Sequence, residues 1–272
     1  MSSASQTRAR PRRRPQVGLF VTCLADLFRP SVAFASLALL KAAGCRVRVP
    51  ATQTCCGQPG YNSGDYAGAK AVARRVIEMF EGADYLVAPS GSCTGMITRH
   101  YPDLLEGEWQ ERARTLAGKS WEITRFLSEV MPLPDTHAAD PQLRSRRIAY
   151  HDGCAGLREV GIRDQPRSLL SAHTGVEVLE LENRDVCCGF GGTFCARMPE
   201  ISAKMASDKL NDALACGSDM LVAGDLGCLL SLAGRASREG IDLEFRHVVE
   251  LLQARLTGGG IGNVAPRPVE AK

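Results

Sequence analysis

"TQTCCGQPGYNSGD", residues 52–65, sets two cysteines side by side and follows them with glycine and proline, the residues of a loop. The signature returns as "VCCGFGG" at residues 186–192, and the agreement spreads outward from there. "VTC", ending at Cys23, corresponds to "HDGC", ending at Cys154; "GADYLVAPSGSC", ending at Cys93, corresponds to "GSDMLVAGDLGC", ending at Cys228. The offsets are 131, 132 and 135 residues, so this chain of 272 residues carries one module twice.

The secondary-structure signals repeat with it. "QVGLFVTC" (16–23) and "RRIAYHDGC" (146–154) are apolar runs that read as buried strands. An amphipathic segment follows each: residues 29–44 carry Ala33, Leu37 and Leu40 on one stripe before Gly44, and residues 164–175 close on Gly175. "CRVRVP" (45–50) and "VEVLEL" (176–181) read as second strands. After the double-cysteine loops come helices, one with Ala69, Val72, Val76 and Phe80 on a face, the other with Ala203, Ala206, Leu210 and Ala213. "ADYLVAP" (83–89) and "SDMLVAG" (218–224) are the third strands.

The fold class expected is α/β: two pseudo-symmetric β-α-β-α-β modules with mainly parallel strands and one cysteine cluster site per module. All repeated cysteines then fall in loops at the carboxyl ends of strands, the edge at which open α/β sheets bind ligands. Residues 1–16 read as a disordered basic tail, 17–130 as the first module and 131–147, rich in proline and charge, as a linker. The second module spans 148–253, and a flexible tail covers 254–272.

Composition narrows the function. Hydrophobic residues make up 44% and charged residues 23%, the balance of a soluble globular protein, and no apolar run approaches the roughly 18 residues of a membrane span. The formal charge of +3 owes to Arg8, Arg10, Arg12, Arg13 and Arg14 in the opening segment; without these five the 33 basic residues fall to 28, against 30 acidic. Such a body has no electrostatic case for nucleic acid. "VGLFVTCL" runs into Asp26 and Arg29 with no cleavage-like site, so a cytoplasmic location is expected. There thiols stay reduced, and eleven cysteines, an odd number, argue against a disulfide framework.

Each module supplies four thiols: Cys23, Cys55, Cys56 and Cys93, then Cys154, Cys187, Cys188 and Cys228. Four thiolates suit an iron-sulfur cluster or a tetrahedral zinc ion. Structural zinc usually takes its ligands from short C-x(2–4)-C hairpins, which are lacking here. Ligands spread over three segments, two of them adjacent, suit an object several ångströms wide, because neighbouring side chains diverge and can reach two sides of it. A disulfide between neighbours is the competing reading, since it needs a strained peptide and would make a redox switch. Cys45, Cys195 and Cys216 have no counterpart in the other module. Cys45 and Cys216 read as core, whereas Cys195, seven residues after Cys188, is close enough to be an alternative ligand. His151 lies three residues before Cys154 and His247 at an expected helix start in "FRHVVELL"; both read first as structural residues and second as groups that tune a cluster by hydrogen bonding to sulfur or shuttle a proton. "GFGG" (189–192) lacks the lysine of a phosphate loop, and no Ser/His/Asp arrangement is evident.

The pattern C-x31-CC-x36-C followed by C-x32-CC-x39-C resembles the cysteine-rich CCG domain, found twice in the cysteine-rich subunit of heterodisulfide reductase and in iron-sulfur subunits of glycolate and glycerol-3-phosphate oxidation systems. "LFVTCLADLF", "CCGQPGYNSG", "PSGSCT", "CCGFGGTF" and "GCLLSLAGR" are similar, more narrowly, to the lactate utilization protein A type, over about residues 17–253. The resemblance implies an iron-sulfur electron-transfer subunit of a complex that oxidises L-lactate to pyruvate, with one or two clusters, [4Fe-4S] in type, per chain. It also implies partners, a ferredoxin-like iron-sulfur subunit and a third subunit, and a peripheral link to a quinone acceptor. In the broader family the last element is often C-x-x-C; here Ser90 and Asp225 stand at its first position, where an oxygen could ligate iron. Four-cysteine ligation is the simpler expectation. A thiol/disulfide redox enzyme of the heterodisulfide reductase kind and a zinc-stabilised scaffold are the alternatives.

Overall fold

The computed structural model describes residues 14–135, 140–253 and 258–262. Most of the expected basic tail, the middle of the expected linker and most of the expected flexible tail lie outside the described residues.

The first module forms strands β1 (Gln16–Leu19), β2 (Arg46–Arg48), β3 (Tyr85–Ala88) and β4 (Ser120–Glu122), all parallel, in the order β2-β1-β3-β4. The second forms β5 (Ile148–His151), β6 (Met220–Ala223) and β7 (Glu244–His247), also parallel, in the order β5-β6-β7. A lone bridge, Ala149 to Leu179, stands where β2 stands in the first module. With that bridge counted, the two sheets share one topology, and the α/β fold of two modules is as the repeat predicts.

Three details differ from expectation. "VEVLEL" is not a strand beyond its single bridge: the Asp212 carboxylate accepts from the backbone N–H groups of Glu182 and Asn183, each at 3.0 Å, and draws the chain off the sheet edge. Each module gains a fourth position, β4 or β7. These strands, "SWE" and "EFRH", are short and half polar, below the reach of a hydrophobic-run criterion. Finally, only the doublets sit in loops. Cys23 opens the helix Cys23–Phe28, Cys93 lies in Gly91–Gly95, Cys154 starts the turn leading into Gly156–Val160, and Cys228 lies in the first turn of Leu226–Glu239.

Strand alternation distributes the core. Val17 and Leu19 face a core that continues through the second module, including Ile148, Leu221, Leu229 and Leu251. Phe20 and Leu86 face a separate core under the helix Tyr66–Phe80, with Phe80, Met96 and Tyr101. The modules therefore share apolar interior instead of hanging on a tether. Polar links reinforce the junction: Arg29 Nε and Ser31 Oγ both donate to Glu250 Oε1, at 2.8 and 2.6 Å. Within the expected tail, Ile261 N–H donates to Phe245 O at 2.8 Å and the Ile261 side chain is buried.

Candidate metal centre

In the first module Cys55 Sγ lies 3.7 Å from Cys23 Sγ, and Cys56 Sγ lies 3.4 Å from Cys93 Sγ. The doublet thus reaches two ways, its first thiol to the end of β1 and its second to the end of β3. The second module repeats this: Cys187 Sγ is 3.8 Å from Cys154 Sγ, and Cys188 Sγ is within 4.8 Å of Cys228 Sγ. Each site has an outer, half-buried pair and an inner, buried pair. The eight repeated cysteines come together as two groups of four, one per module.

Local sequence explains the shape. Gly57 and Gly189 adopt φ of +84° and +83°, conformations that side-chain-bearing residues rarely take. This turns their N–H groups back onto Cys55 Sγ and Cys187 Sγ, each at 3.4 Å. The Tyr101 hydroxyl donates to the Cys56 carbonyl at 2.7 Å, fixing the first doublet from below. The Ser90 hydroxyl accepts from Cys93 N–H at 3.2 Å and caps the turn that carries that thiol.

These surroundings generate thiolates. Hydrogen bonds from the Cys23 and Cys56 thiols hold Cys55 down to about 3, and those from Cys154 and Cys188 hold Cys187 down to about 2. Their neighbours are pushed up: Cys23 and Cys154 by hydrogen bonding to those thiolates and by burial, Cys56 and Cys188 chiefly for the same two reasons. Each module therefore holds an anionic sulfur ringed by further sulfurs, the donor set that soft transition metals select.

Ser90 and Asp225 are turned towards each other across the module junction. Ser92 N–H donates to Asp225 Oδ2 at 2.8 Å, and the Ser92 and Ser90 hydroxyls donate to Oδ1 at 3.0 and 3.3 Å. The Cys195 thiol donates to the Gly192 carbonyl at 3.0 Å. Cys45 is buried in the core, and half-buried Cys216 packs against that core. His247 is occupied structurally: Nδ1 accepts from Val249 N–H at 3.3 Å, and Nε2 meets the Pro89 carbonyl at 3.1 Å. His151 is different. It is buried, neither ring nitrogen has a hydrogen-bond partner among the described residues, and its ring reaches within 4.8 Å of Cys188 and Cys228 Sγ.

Two features escape sequence reasoning. A cleft sets Cys23, Cys55, Cys56 and Cys93 opposite Phe190, Gly192 and Asp225 of the second module, so the first site faces the junction. Lys209 is buried on the helix Pro199–Ala215, donating to the Asn183 carbonyl at 2.5 Å and lying 3.7 Å from the Asp212 carboxylate. Its place on that helix's apolar stripe, between Ala206 and Ala213, is the signal that could have found it.

Comparison with known proteins agrees with this arrangement. The cysteine-rich domain family, CCG, matches residues 17–98 and 148–233. Lactate utilization protein A of Oceanobacillus iheyensis is 40% identical over 246 residues, 90% of this chain and 99% of the relative. Its namesake in Geobacillus kaustophilus is 42% identical over 242 residues, 88% and 99% of the two chains. Among solved structures, an aspartate racemase homologue from Pyrococcus horikoshii shares 10% identity at a TM-score of 0.32, covering 87% of this chain and 95% of that one, a likeness too slight to carry an argument. With both modules matched and relatives aligned nearly end to end, the chain belongs to the cysteine-rich CCG domain family, among the lactate utilization protein A sequences.

Proposed function

We propose that the chain is the iron-sulfur electron-transfer subunit of an oxidoreductase complex that oxidises L-lactate to pyruvate. The observation that carries this reading is the pair of four-thiol sites, each with an inner and an outer pair and one stabilised thiolate. Cys23, Cys55, Cys56 and Cys93 would hold one [4Fe-4S] cluster, and Cys154, Cys187, Cys188 and Cys228 a second. When bound, such clusters accept and pass on single electrons. The chain's own part is to present thiolates, bury the inner sulfurs and supply the Gly57 and Gly189 N–H groups to sulfur. Removal of hydride from a hydroxy acid is assigned to a partner subunit, alongside a ferredoxin-like iron-sulfur subunit. Electrons would leave towards a quinone by a peripheral contact, since no helix among the described residues is long and apolar enough to cross a membrane. The setting proposed is the cytoplasm.

The test is iron, acid-labile sulfide and zinc content, with EPR spectra, on protein prepared without oxygen. Wild type should carry about four irons per module, and Cys56→Ser and Cys188→Ser should each lose one half. A colourless, zinc-loaded protein would overturn the reading in favour of a scaffold. Turnover of small disulfides by iron-free protein would overturn it in favour of a thiol/disulfide enzyme.

A further inference from the structure

The two sites hold their thiols alike but are backed differently at the end of the first strand of each module. The residue three positions before the first cysteine is Phe20 in one module and His151 in the other. Both side chains are buried, at 0% and 1% exposure. Phe20 needs no polar partner and packs on Phe80, ring centroids 5.8 Å apart. A neutral imidazole, by contrast, carries one N–H donor and one acceptor nitrogen, and burying them unpaired is costly. Neither His151 nitrogen finds a partner among the described residues, while the inner thiols Cys188 and Cys228 lie within 4.8 Å of the ring.

Resting on the cluster reading above, we propose that His151 is a positioning residue that donates its ring N–H to a sulfur of the second centre, and so sets that centre's potential apart from the first. The first site gathers four thiols with a phenylalanine at this position, so on the cluster reading the imidazole is not called for as a ligand. The orphaned donor calls for an acceptor, and the sulfurs of the inner pair, with those of a bound cluster, are the acceptors within reach. Burial, with the charge of Lys209 as a lesser contribution, holds the imidazole neutral against the opposing pull of the Cys187 sulfur. A hydrogen bond to sulfur favours the more negatively charged, reduced state of a cluster and raises its potential. Phe20, at the equivalent place in the first module, has no donor to offer.

The experiment is an EPR-monitored redox titration of the anaerobically purified full chain, the two signals being assigned with Cys56→Ser and Cys188→Ser. His151→Phe should leave iron content unchanged and lower the second centre's potential by about tenfold in its reduction equilibrium, roughly 59 mV for one electron. The first centre should not move. His151→Gln, which keeps an N–H donor, should recover part of the shift, and Phe20→His should raise the first centre. An unchanged second potential in His151→Phe overturns the inference while leaving the cluster reading intact. Loss of half the iron in both His151 variants also overturns it, making the residue a ligand. Protein without iron in the wild type would instead defeat the cluster reading itself, and this inference with it.

Discussion

At three matched buried positions behind the thiols the first module has hydrocarbon side chains where the second has polar ones. The five buried positions Ala69, Ala73, Val76, Ile77 and Phe80 of one doublet-facing helix match Ser202, Ala206, Lys209, Leu210 and Ala213 of the other at a constant offset of 133 residues. Val76 thus corresponds to Lys209, Ala69 to Ser202 and, from the strand end, Phe20 to His151. The thiols and glycine turns are alike in the two modules while the wall behind them differs. On the proposed function the difference separates two jobs: holding a cluster would need the thiols and the turn, whereas its potential would answer to nearby charge, hydrogen bonds and burial. Lys209 illustrates the strength of that divergence, since a cation so buried costs several kcal/mol unless paired, and Asp212 sits beside it.

The turns themselves are not equally tight, which gives the largest expected effect. A β-carbon at Gly189 would lie 2.8 Å from the Ser202 carbonyl oxygen and 2.9 Å from Met205 Cβ; at Gly57 the nearest atom is Val72 Cγ1 at 3.3 Å. Both substitutions meet the left-handed penalty of about 1–2 kcal/mol, but only Gly189→Ala must also displace helix backbone, for roughly a further 1–3 kcal/mol. Gly189→Ala should therefore lower stability in urea unfolding clearly more than Gly57→Ala and release iron from the second site first. Equal losses would mean that the helices press on the two doublets alike.

A second contrast lies where the last strand of each sheet hands over to a helix. Glu122 ends β4 and caps Ile123–Glu129, accepting from Thr124 N–H at 2.8 Å and Arg125 N–H at 3.1 Å. His247 ends β7 and caps Val248–Leu251. Burial drives both towards the neutral form, chiefly by desolvation: Glu122 up to about 7, His247 down to about 4. The consequences for pH are opposite. The raised Glu122 contributes stability that is full below about 4.5 and fades as pH rises through 7. The depressed His247 contributes stability that is full above about 6.5 and fades as pH falls through 4, and His151 acts in the same sense. Each group carries up to ~3 kcal/mol across its window. Glu122→Gln should steepen the loss of stability on acidification, because the opposing slope is gone, and His247→Asn should flatten it. Urea midpoints measured from about pH 4.5 to 8 check both, and parallel profiles for the two variants would refute the contrast.

How far these features were legible depends on whether they repeat. The doublets, the strands ending at Cys23 and Cys154 and the grouping of thiols by module follow from self-similarity and apolar runs, signals that add up along the chain. β4 and β7 were missed because three or four half-polar residues carry no periodicity, and the second strand of module two was overread because Asp212, thirty residues away, holds its continuation off the sheet. The meaning of His151 was out of reach for a related reason: a histidine near a cysteine is ordinary, and only burial without a partner sets it apart from His247, which is fully engaged.

Ser90 and Asp225 hold equivalent positions in the two modules, yet act on each other. Both precede their cysteine by three residues, and sequence alone leaves them open as oxygen ligands. Ser90 caps the turn of Cys93, while Asp225, whose own helix Leu226–Glu239 receives no side-chain cap from it, accepts instead from Ser92 and Ser90 of the other module. A carboxylate engaged by three donors is held away from ligation by the same bonds that join the modules. Asp225→Ala should therefore keep the full iron content of both sites and lower stability by only about 1–2 kcal/mol, because the freed Ser92 N–H borders the cleft and can take water. Ser90→Ala should cost about 1 kcal/mol, the loss of a cap. If either variant instead loses iron from one site while its urea midpoint holds, the oxygen is a ligand, and the two modules differ in the atoms that bind iron as well as in the wall behind them.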